Sequence, residues 1–153
     1  MGSATPKLTN RSGFTLIESL AVIIIMAILG GMAMPKISRS TMQTKVDRAA
    51  YAVTNDVQMA FSLAARSNKP VTYAIDNTKL RFVVADRATG TVMYDRYYGT
   101  TTSPFGLTAF GMSATSVTVF PNGTSSQQVE VNLTLRNYSR TVRVSRVGFV
   151  RVQ

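Results

Sequence analysis

Residues 13–18 read Gly-Phe-Thr-Leu-Ile-Glu, and an apolar run follows them as far as Ile37. Within Leu16–Ile37 the only charged residues are Glu18 and Lys36. About 20 apolar residues in a helix, rising ~1.5 Å each, span the ~30 Å hydrocarbon core of a bilayer. The run therefore predicts a membrane-spanning helix. Glu18 is a candidate functional residue within it, because a carboxylate is costly to place in lipid.

The residues that flank this run predict how the chain is processed. The segment before Phe14 carries Lys7 and Arg11 and no acid, and the positive-inside tendency keeps such a segment in the cytoplasm. A secretory signal peptide would instead be cleaved after the apolar run, where Gly30–Pro35 imitates a small-residue cleavage site. We expect processing before the run, at Gly13.

The opening stretch resembles the prepilin signature of type IV pilins and type II secretion pseudopilins. In that family a membrane-embedded prepilin peptidase cleaves after the glycine and methylates the new amino terminus. The resemblance implies cleavage between Gly13 and Phe14, N-methylation of Phe14, and residues 1–13 as the leader. It also implies that Glu18 acts in assembly and that Pro35 is the family's helix-kinking proline.

The physical chemistry of Glu18 is consistent with an assembly role. Leader removal creates a cationic amine on Phe14, and in the family the glutamate is thought to pair with that amine on the neighbouring subunit. A wrongly docked subunit leaves the charge unpaired, so the pair would set the register of assembly. The alternative is that Glu18, near the helix end, places its carboxylate at the membrane interface by snorkelling.

The composition excludes several kinds of functional site. The chain has 153 residues, which predicts one domain beyond the anchor. It contains no Cys and no His, so it lacks thiolate ligands, disulfides, and the commonest general base and metal ligand. Its seven acidic residues form no short-spaced pair of the glycosidase or calcium-loop kind. We expect no enzymatic activity, no cofactor and no metal site.

The helical pattern continues beyond the apolar run. Apolar residues recur at the spacing of a one-sided helix, at Val46, Ala49, Ala50, Val53, Val57, Ala60, Phe61 and Ala64. Polar residues, Asp56 among them, occupy the other positions. Pro35 predicts a kink, and Ser67–Pro70 predicts the helix end. We predict a transmembrane half over residues 14–37 and an amphipathic half over residues 38–66.

Period-two alternation replaces the helical pattern from Val71 onward. It is clearest in Val129–Leu135, where Val and Leu alternate with polar residues. Residues 99–116, rich in Thr, Ser and Gly, are predicted to form a loop. An antiparallel sheet packing one apolar face on the helix stripe would bury both elements. The predicted fold class is α+β, with a β-sheet domain over residues 67–153.

The end of the chain resembles the H-type pseudopilins and the FimT/FimU-like minor pilins. The similarity rests on Phe120–Thr124, the alternating strand after it, Ser139–Ser145 and Val147–Val152. It implies a low-copy subunit at or near a filament tip that helps to start assembly. The implied partners are other pilin or pseudopilin subunits, the prepilin peptidase and the inner membrane, with the C-terminal domain outside the cytoplasm. A type IV pilus and a type II secretion pseudopilus both remain open.

The final strands concentrate the positive charge of a chain whose net charge is +10. Arginines that contact phosphates release counterions, so a strip of them is a candidate DNA-binding site, formed by Arg140, Arg143, Arg146 and Arg151. Some FimT-like minor pilins bind DNA through a closing Gly-Arg-x-Arg motif, and here Phe149 replaces its first arginine. DNA uptake is the alternative function. The other interpretation is a basic surface that is solvated or faces a neighbouring subunit.

Overall fold

One long helix precedes eight strands in the described chain. The computed structural model describes residues 14–99 and 103–153, and for residues 32–39 it describes the backbone alone. The elements are α1 (Leu16–Ser67), β1 (Val71–Asp76), β2 (Arg81–Asp86), β3 (Val92–Tyr97), β4 (Ala109–Met112), β5 (Val117–Val119), β6 (Val129–Leu135), β7 (Tyr138–Val144) and β8 (Val150–Val152). The chain divides between Ser38 and Arg39 into two compact units, and α1 contributes to each of them.

The first unit contains the N-terminal part of α1. Its large apolar side chains between Phe14 and Leu29 are exposed. Among the residues that the structure describes, no helix is long and apolar enough to cross a membrane. The predicted span, Leu16–Ile37, reaches into residues 32–39, whose side chains lie outside the described part. The backbone of α1 is helical across Pro35, and the kink expected there stays a prediction.

In the second unit α1 buries the apolar stripe that the sequence predicts. The fully buried members are Val46, Ala49, Ala50, Val53, Val57, Ala60 and Ala64. Four of these are alanines, whose small side chains let the helix backbone lie close to the strands. Phe61, predicted to belong to the stripe, is only half-buried at its edge.

The helix ends where the sequence predicts. Asn68 has a φ of 51°, the left-handed conformation in which helices commonly terminate. The Ser67 hydroxyl donates to the Leu63 carbonyl at 2.7 Å, which satisfies one of the last helical acceptors. Pro70 then prevents the helix from continuing.

The strands form two four-stranded antiparallel sheets rather than one. The first has the order β3-β2-β1-β5 and the second the order β4-β6-β7-β8. The α+β class and the antiparallel pairing are as predicted, but β4 lies inside residues 99–116, where the sequence predicted a loop. Only Phe110 of β4 is fully buried, and Gly111 interrupts the alternation, so this strand has little sequence signal. Its position follows from pairing with β6.

The two sheets and α1 share one hydrophobic core. The inward side chains of β6 and β7 include Val131, Leu133, Val142 and Val144, all fully buried. Burying such a side chain contributes roughly 1.5–3 kcal/mol. The alternation that turns Val142 and Val144 inward turns Arg143 outward, whereas Arg140 has the parity of the buried valines and contacts Asp47 of α1. The core thereby fixes the face of the second sheet on which Arg143 lies.

Candidate functional site

Thr15 and Glu18 form a reciprocal pair at the start of α1. The Glu18 amide donates to Thr15 Oγ1 at 3.3 Å, and Glu18 Oε2 lies 3.5 Å from both the Thr15 amide nitrogen and its hydroxyl. This is the arrangement of a capping box, and a carboxylate in the first turn also complements the helix dipole. This capping box was not predicted, although its signature, Thr-x-x-Glu, is present in the sequence. Contacts of 3.5 Å are long for hydrogen bonds, so the carboxylate is held only weakly.

The predicted processing site lies next to this cap. Gly13 is outside the described residues, and Phe14 is 78% exposed. Cleavage would place an amino group on Phe14, one residue before the Thr15 amide that faces the Glu18 carboxylate. The cleavage, the N-methylation and the role of Glu18 in assembly remain predictions.

Asp56 is buried, contrary to its predicted place among the polar positions of the helix. It is 1% exposed and accepts hydrogen bonds from the hydroxyls of Tyr94, at 2.7 Å, and Tyr98, at 2.6 Å. Nη1 of Arg96 lies 3.2 Å from its carboxylate. Asp56 is three residues after Val53 and one before Val57, so its helical spacing places it on the buried stripe. That spacing was the signal from which its burial could have been inferred.

The titration behaviour of this cluster follows from its burial. Burial raises the pKa of Asp56, and the two tyrosine hydroxyls and Arg96 oppose that rise. Burial, together with the nearby carboxylate, raises the pKa of Tyr94 to about 12 and also raises the pKa of Tyr98. Both tyrosines therefore stay protonated and act as donors at neutral pH. The cluster is a hydrogen-bonded connection from α1 to the edge strand β3 and to Tyr98, the residue that follows it.

Two of the four candidate DNA-binding arginines are in ion pairs with acids. Nε of Arg140 lies 2.7 Å from an Asp47 carboxylate oxygen, and Nε of Arg143 lies 2.7 Å from Glu130. Asp47 comes from α1, far away in sequence, and Glu130 lies directly across from Arg143 on β6. Neither acid was predicted from the sequence to be a partner of these arginines. The four arginines therefore do not form a uniform strip of free cations.

The other two candidate arginines lie at the β7–β8 hairpin. Arg151 of β8 pairs in register with Arg143 of β7, and no acid contacts Arg151 among the described residues. Arg146 lies in the turn, where its Nε is 3.5 Å from the Ser125 carbonyl oxygen. Phe149 is exposed beside Arg151, as the strand alternation predicts.

Asp86 lines an opening between the end of α1 and the β2–β3 turn, and it has a structural role. This opening of about 450 Å³ is lined by Lys69, Pro70 and residues 86–89. Its carboxylate, Asp86, accepts the amides of Thr89, at 3.0 Å, and Ala88, at 2.7 Å, and these bonds lower its pKa. Asp86 therefore holds the β2–β3 turn. No group of three or more His, Cys, Asp or Glu residues that could hold a metal ion occurs among the described residues.

The N-terminal segment and the folded domain were each compared with known proteins. Residues 8–34 match the family model described as the prokaryotic N-terminal methylation motif. No curated protein sequence matches the chain.

Solved structures match the fold at low sequence identity. The type IV minor pilin FimU of Pseudomonas aeruginosa matches in two crystal forms. One has a TM-score of 0.59 at 14% identity, over 74% of this chain and 91% of that one. The other has a TM-score of 0.55 at 14% identity, over 70% of this chain and 91% of that one. The minor pseudopilin EpsH from the type 2 secretion system of Vibrio cholerae matches with a TM-score of 0.50 at 13% identity, over 71% of this chain and 96% of EpsH. The chain thus combines an N-terminal methylation motif with a fold similar to those of FimU and EpsH.

Proposed function

We propose that this chain is a minor pilin or pseudopilin, a structural subunit that assembles into, or primes, a type IV pilus or a type II secretion pseudopilus. One observation carries the proposal: the methylation motif over residues 8–34 belongs to a chain whose folded part has the fold of FimU and EpsH. Neither feature alone would suffice, because the motif is short and the fold match has low identity. Pilins and pseudopilins are structural subunits and not enzymes.

The proposed mechanism begins in the inner membrane. The N-terminal part of α1 anchors the precursor as a single pass, with the C-terminal domain outside the cytoplasm. The prepilin peptidase removes residues 1–13 and methylates Phe14. The new amino group on one subunit then pairs with Glu18 of another as subunits leave the membrane for the filament. The exposed apolar side chains from Phe14 to Leu29 support this proposal, because such a surface is stable only in lipid or against other apolar helices.

Intact-mass measurement of membrane-extracted protein tests the proposal. Cells with an active prepilin peptidase should yield a chain that lacks Met1–Gly13 and carries one additional methyl group. Cells without the peptidase should yield the full-length, unmethylated chain. A mature amino terminus after Ala33, or an uncleaved chain in the presence of the active peptidase, would contradict the proposal.

DNA uptake remains the alternative function. A phosphate would have to compete with Asp47 for Arg140 and with Glu130 for Arg143, since each pair is already in contact at 2.7 Å. Exposed ion pairs are individually weak, so this competition lowers the expected DNA affinity without abolishing it. The structural role rests on the motif and the fold together, and we therefore take it as the primary function.

A further inference from the structure

The turn between β7 and β8 displays two apolar side chains to solvent. Val147 is 70% exposed and Phe149 is 63% exposed. Arg143, Arg146 and Arg151 belong to the same hairpin and are also exposed, and we call these five residues the hairpin tip. Exposed apolar and arginine side chains on one hairpin have the composition of an interface centre, where aromatic residues and arginine carry most of the binding energy.

The backbone of the hairpin tip is held firmly. The Gly148 amide donates to the Ser145 carbonyl at 3.1 Å, and the Ser145 amide donates to the Phe149 carbonyl at 2.9 Å. The Phe149 amide donates to Ser145 Oγ at 3.0 Å, and Gln58 Nε2 of α1 donates to the Gly148 carbonyl at 2.8 Å. These bonds fix the turn on the helix. Phe149 is thus displayed by an ordered turn, which lowers the entropy lost when a partner binds.

Gly148 itself is required by this arrangement. Its φ is +75°, and a Cβ built on it would lie 3.0 Å from Cε1 of Phe61. A side chain there would be strained in its backbone and would press on the Phe61 ring. Gly148 therefore lets the turn pack directly against Phe61 of α1, while Val147 and Phe149 remain exposed.

The positive charge of the hairpin tip is only partly offset by acids in the part of the chain that the structure describes. Arg143 and Arg151 are direct cross-strand neighbours, an arrangement of like charges that destabilises a sheet. Glu130 offsets Arg143, and no acid among the described residues offsets Arg151. An acidic group on a bound partner would complete this charge set.

We propose that the hairpin tip is a docking surface for an acidic face, containing an apolar pocket, on a different subunit of the same filament. This inference rests on the proposed function, and it adds the contact surface and the chemistry of the neighbouring subunit. A second copy of this chain is a poor partner, because it stays strongly basic after the loss of Lys7 and Arg11 with the leader and would present the same arginines. Duplex DNA would supply the negative charge but would leave Val147 and Phe149 without an apolar contact.

Site-specific photocross-linking in cells that carry the whole assembly machinery tests this inference. The full-length chain would carry benzoylphenylalanine in place of Phe149, or in place of Met93 as the control. Met93 is 41% exposed and lies on β3, in the other sheet. We expect a cross-link from position 149 to another prepilin-processed subunit, at a peptide rich in Asp or Glu, and a different product or none from position 93.

Variants of the hairpin tip make the test specific. With benzoylphenylalanine at position 147, Phe149→Ala should lower the yield of that product about tenfold, the loss typical of an interface aromatic. Arg143→Gln with Arg151→Gln should lower the yield at low salt and weaken its dependence on salt, because the attraction that salt screens has been removed. Arg87→Gln, at an exposed turn, should leave the yield unchanged. All variants are expected to keep the wild-type unfolding midpoint, because the substituted side chains are exposed.

The outcomes separate this inference from the proposed function. A chain that is processed and found in filaments but yields no subunit cross-link at position 149 would overturn the docking surface alone. A cross-link there to nucleic acid, to lipid or to a second copy of this chain would also overturn it. A chain that is neither processed nor incorporated would overturn both proposals.

Discussion

At the scale of single residues, Glu18 combines two effects that can be separated by substitution. Its carboxylate caps α1 through Thr15. The resemblance to prepilins also implies that its charge pairs with the amino terminus of a neighbouring subunit. Gln is also favoured at this capping position, so Glu18→Gln keeps the cap and removes only the charge. We expect Glu18→Gln and Glu18→Ala to be processed normally and to be excluded from filaments to the same degree.

The matched control for Glu18 is Thr15→Val, which removes the cap and keeps the charge. It should cost about 1 kcal/mol of local helix stability and leave incorporation near the wild-type level. Immunoblots of sheared filaments and of the remaining membranes would measure the incorporated fraction for each variant. Wild-type incorporation of Glu18→Gln would show that the charge is unnecessary, and failure of Thr15→Val alone would assign the effect to capping.

Asp56 is expected to be the most sensitive polar residue of the folded domain. Asp56→Ala would leave the buried Tyr98 hydroxyl without its acceptor and Arg96 without its acid. Breaking such a buried set should cost about 3 kcal/mol of unfolding free energy. Urea unfolding of the detergent-solubilised chain, followed by tyrosine fluorescence, would measure it. Asn55→Ala is the control, because Asn55 is exposed on the adjacent helical position, and a similar loss there would contradict the assignment.

The pH dependence of stability should also reveal Asp56. Burial raises its pKa in the folded protein above that of the unfolded chain, near 3.9, so the folded state binds more protons between the two values. The stability of the wild type relative to Asp56→Asn should therefore fall as the pH rises from about 4 through the folded pKa, and then level off. Urea midpoints of the two chains across that range would measure this. A difference that grows with pH would mean that the tyrosines and Arg96 outweigh burial.

At the scale of elements, the alanines of α1 set its distance from the strands. Ala60 is fully buried, whereas Ala65 on the same helix is exposed. Ala60→Leu should overpack the core and cost about 1–3 kcal/mol, while Ala65→Leu should stay within about 0.5 kcal/mol of the wild type. Urea midpoints of the two variants test this directly. Equal effects would mean that the helix is not held at a fixed distance from the sheets.

The elements also show what a single sequence can and cannot predict. The buried stripe of α1 and the strand Val129–Leu135 were predictable because their apolar periods are long and clear. The strand β4 was not, because its pairing with β6 and not its own pattern determines it. The partners of Arg140 and Arg143 were likewise hidden, since each ion pair depends on how separate elements meet. The burial of Asp56 was predictable from its helical spacing to Val53 and Val57, but its polar side chain led to the opposite prediction.

At the scale of the whole molecule, the predicted processing site and the hydrophobic core belong to different compact units. The motif, the cap and Glu18 lie in the unit that ends at Ser38, and the core and Asp56 lie in the unit that begins at Arg39. Effects at distant sites without shared partners are usually additive. A change in one unit should therefore leave the property of the other unit unaltered.

Reciprocal variants test that separation. Gly13→Leu removes the glycine after which the prepilin peptidase is expected to cut, so the chain should keep its leader and its unmethylated terminus while its urea midpoint stays at the wild-type value. Asp56→Ala should do the opposite, lowering the midpoint while its membrane-extracted form still shows the mature mass. The same two measurements, intact mass and urea midpoint, apply to both purified chains. A lowered midpoint in Gly13→Leu would show that the retained leader affects the stability of the folded domain. An unprocessed Asp56→Ala would show that the peptidase recognises the folded domain as well as the motif.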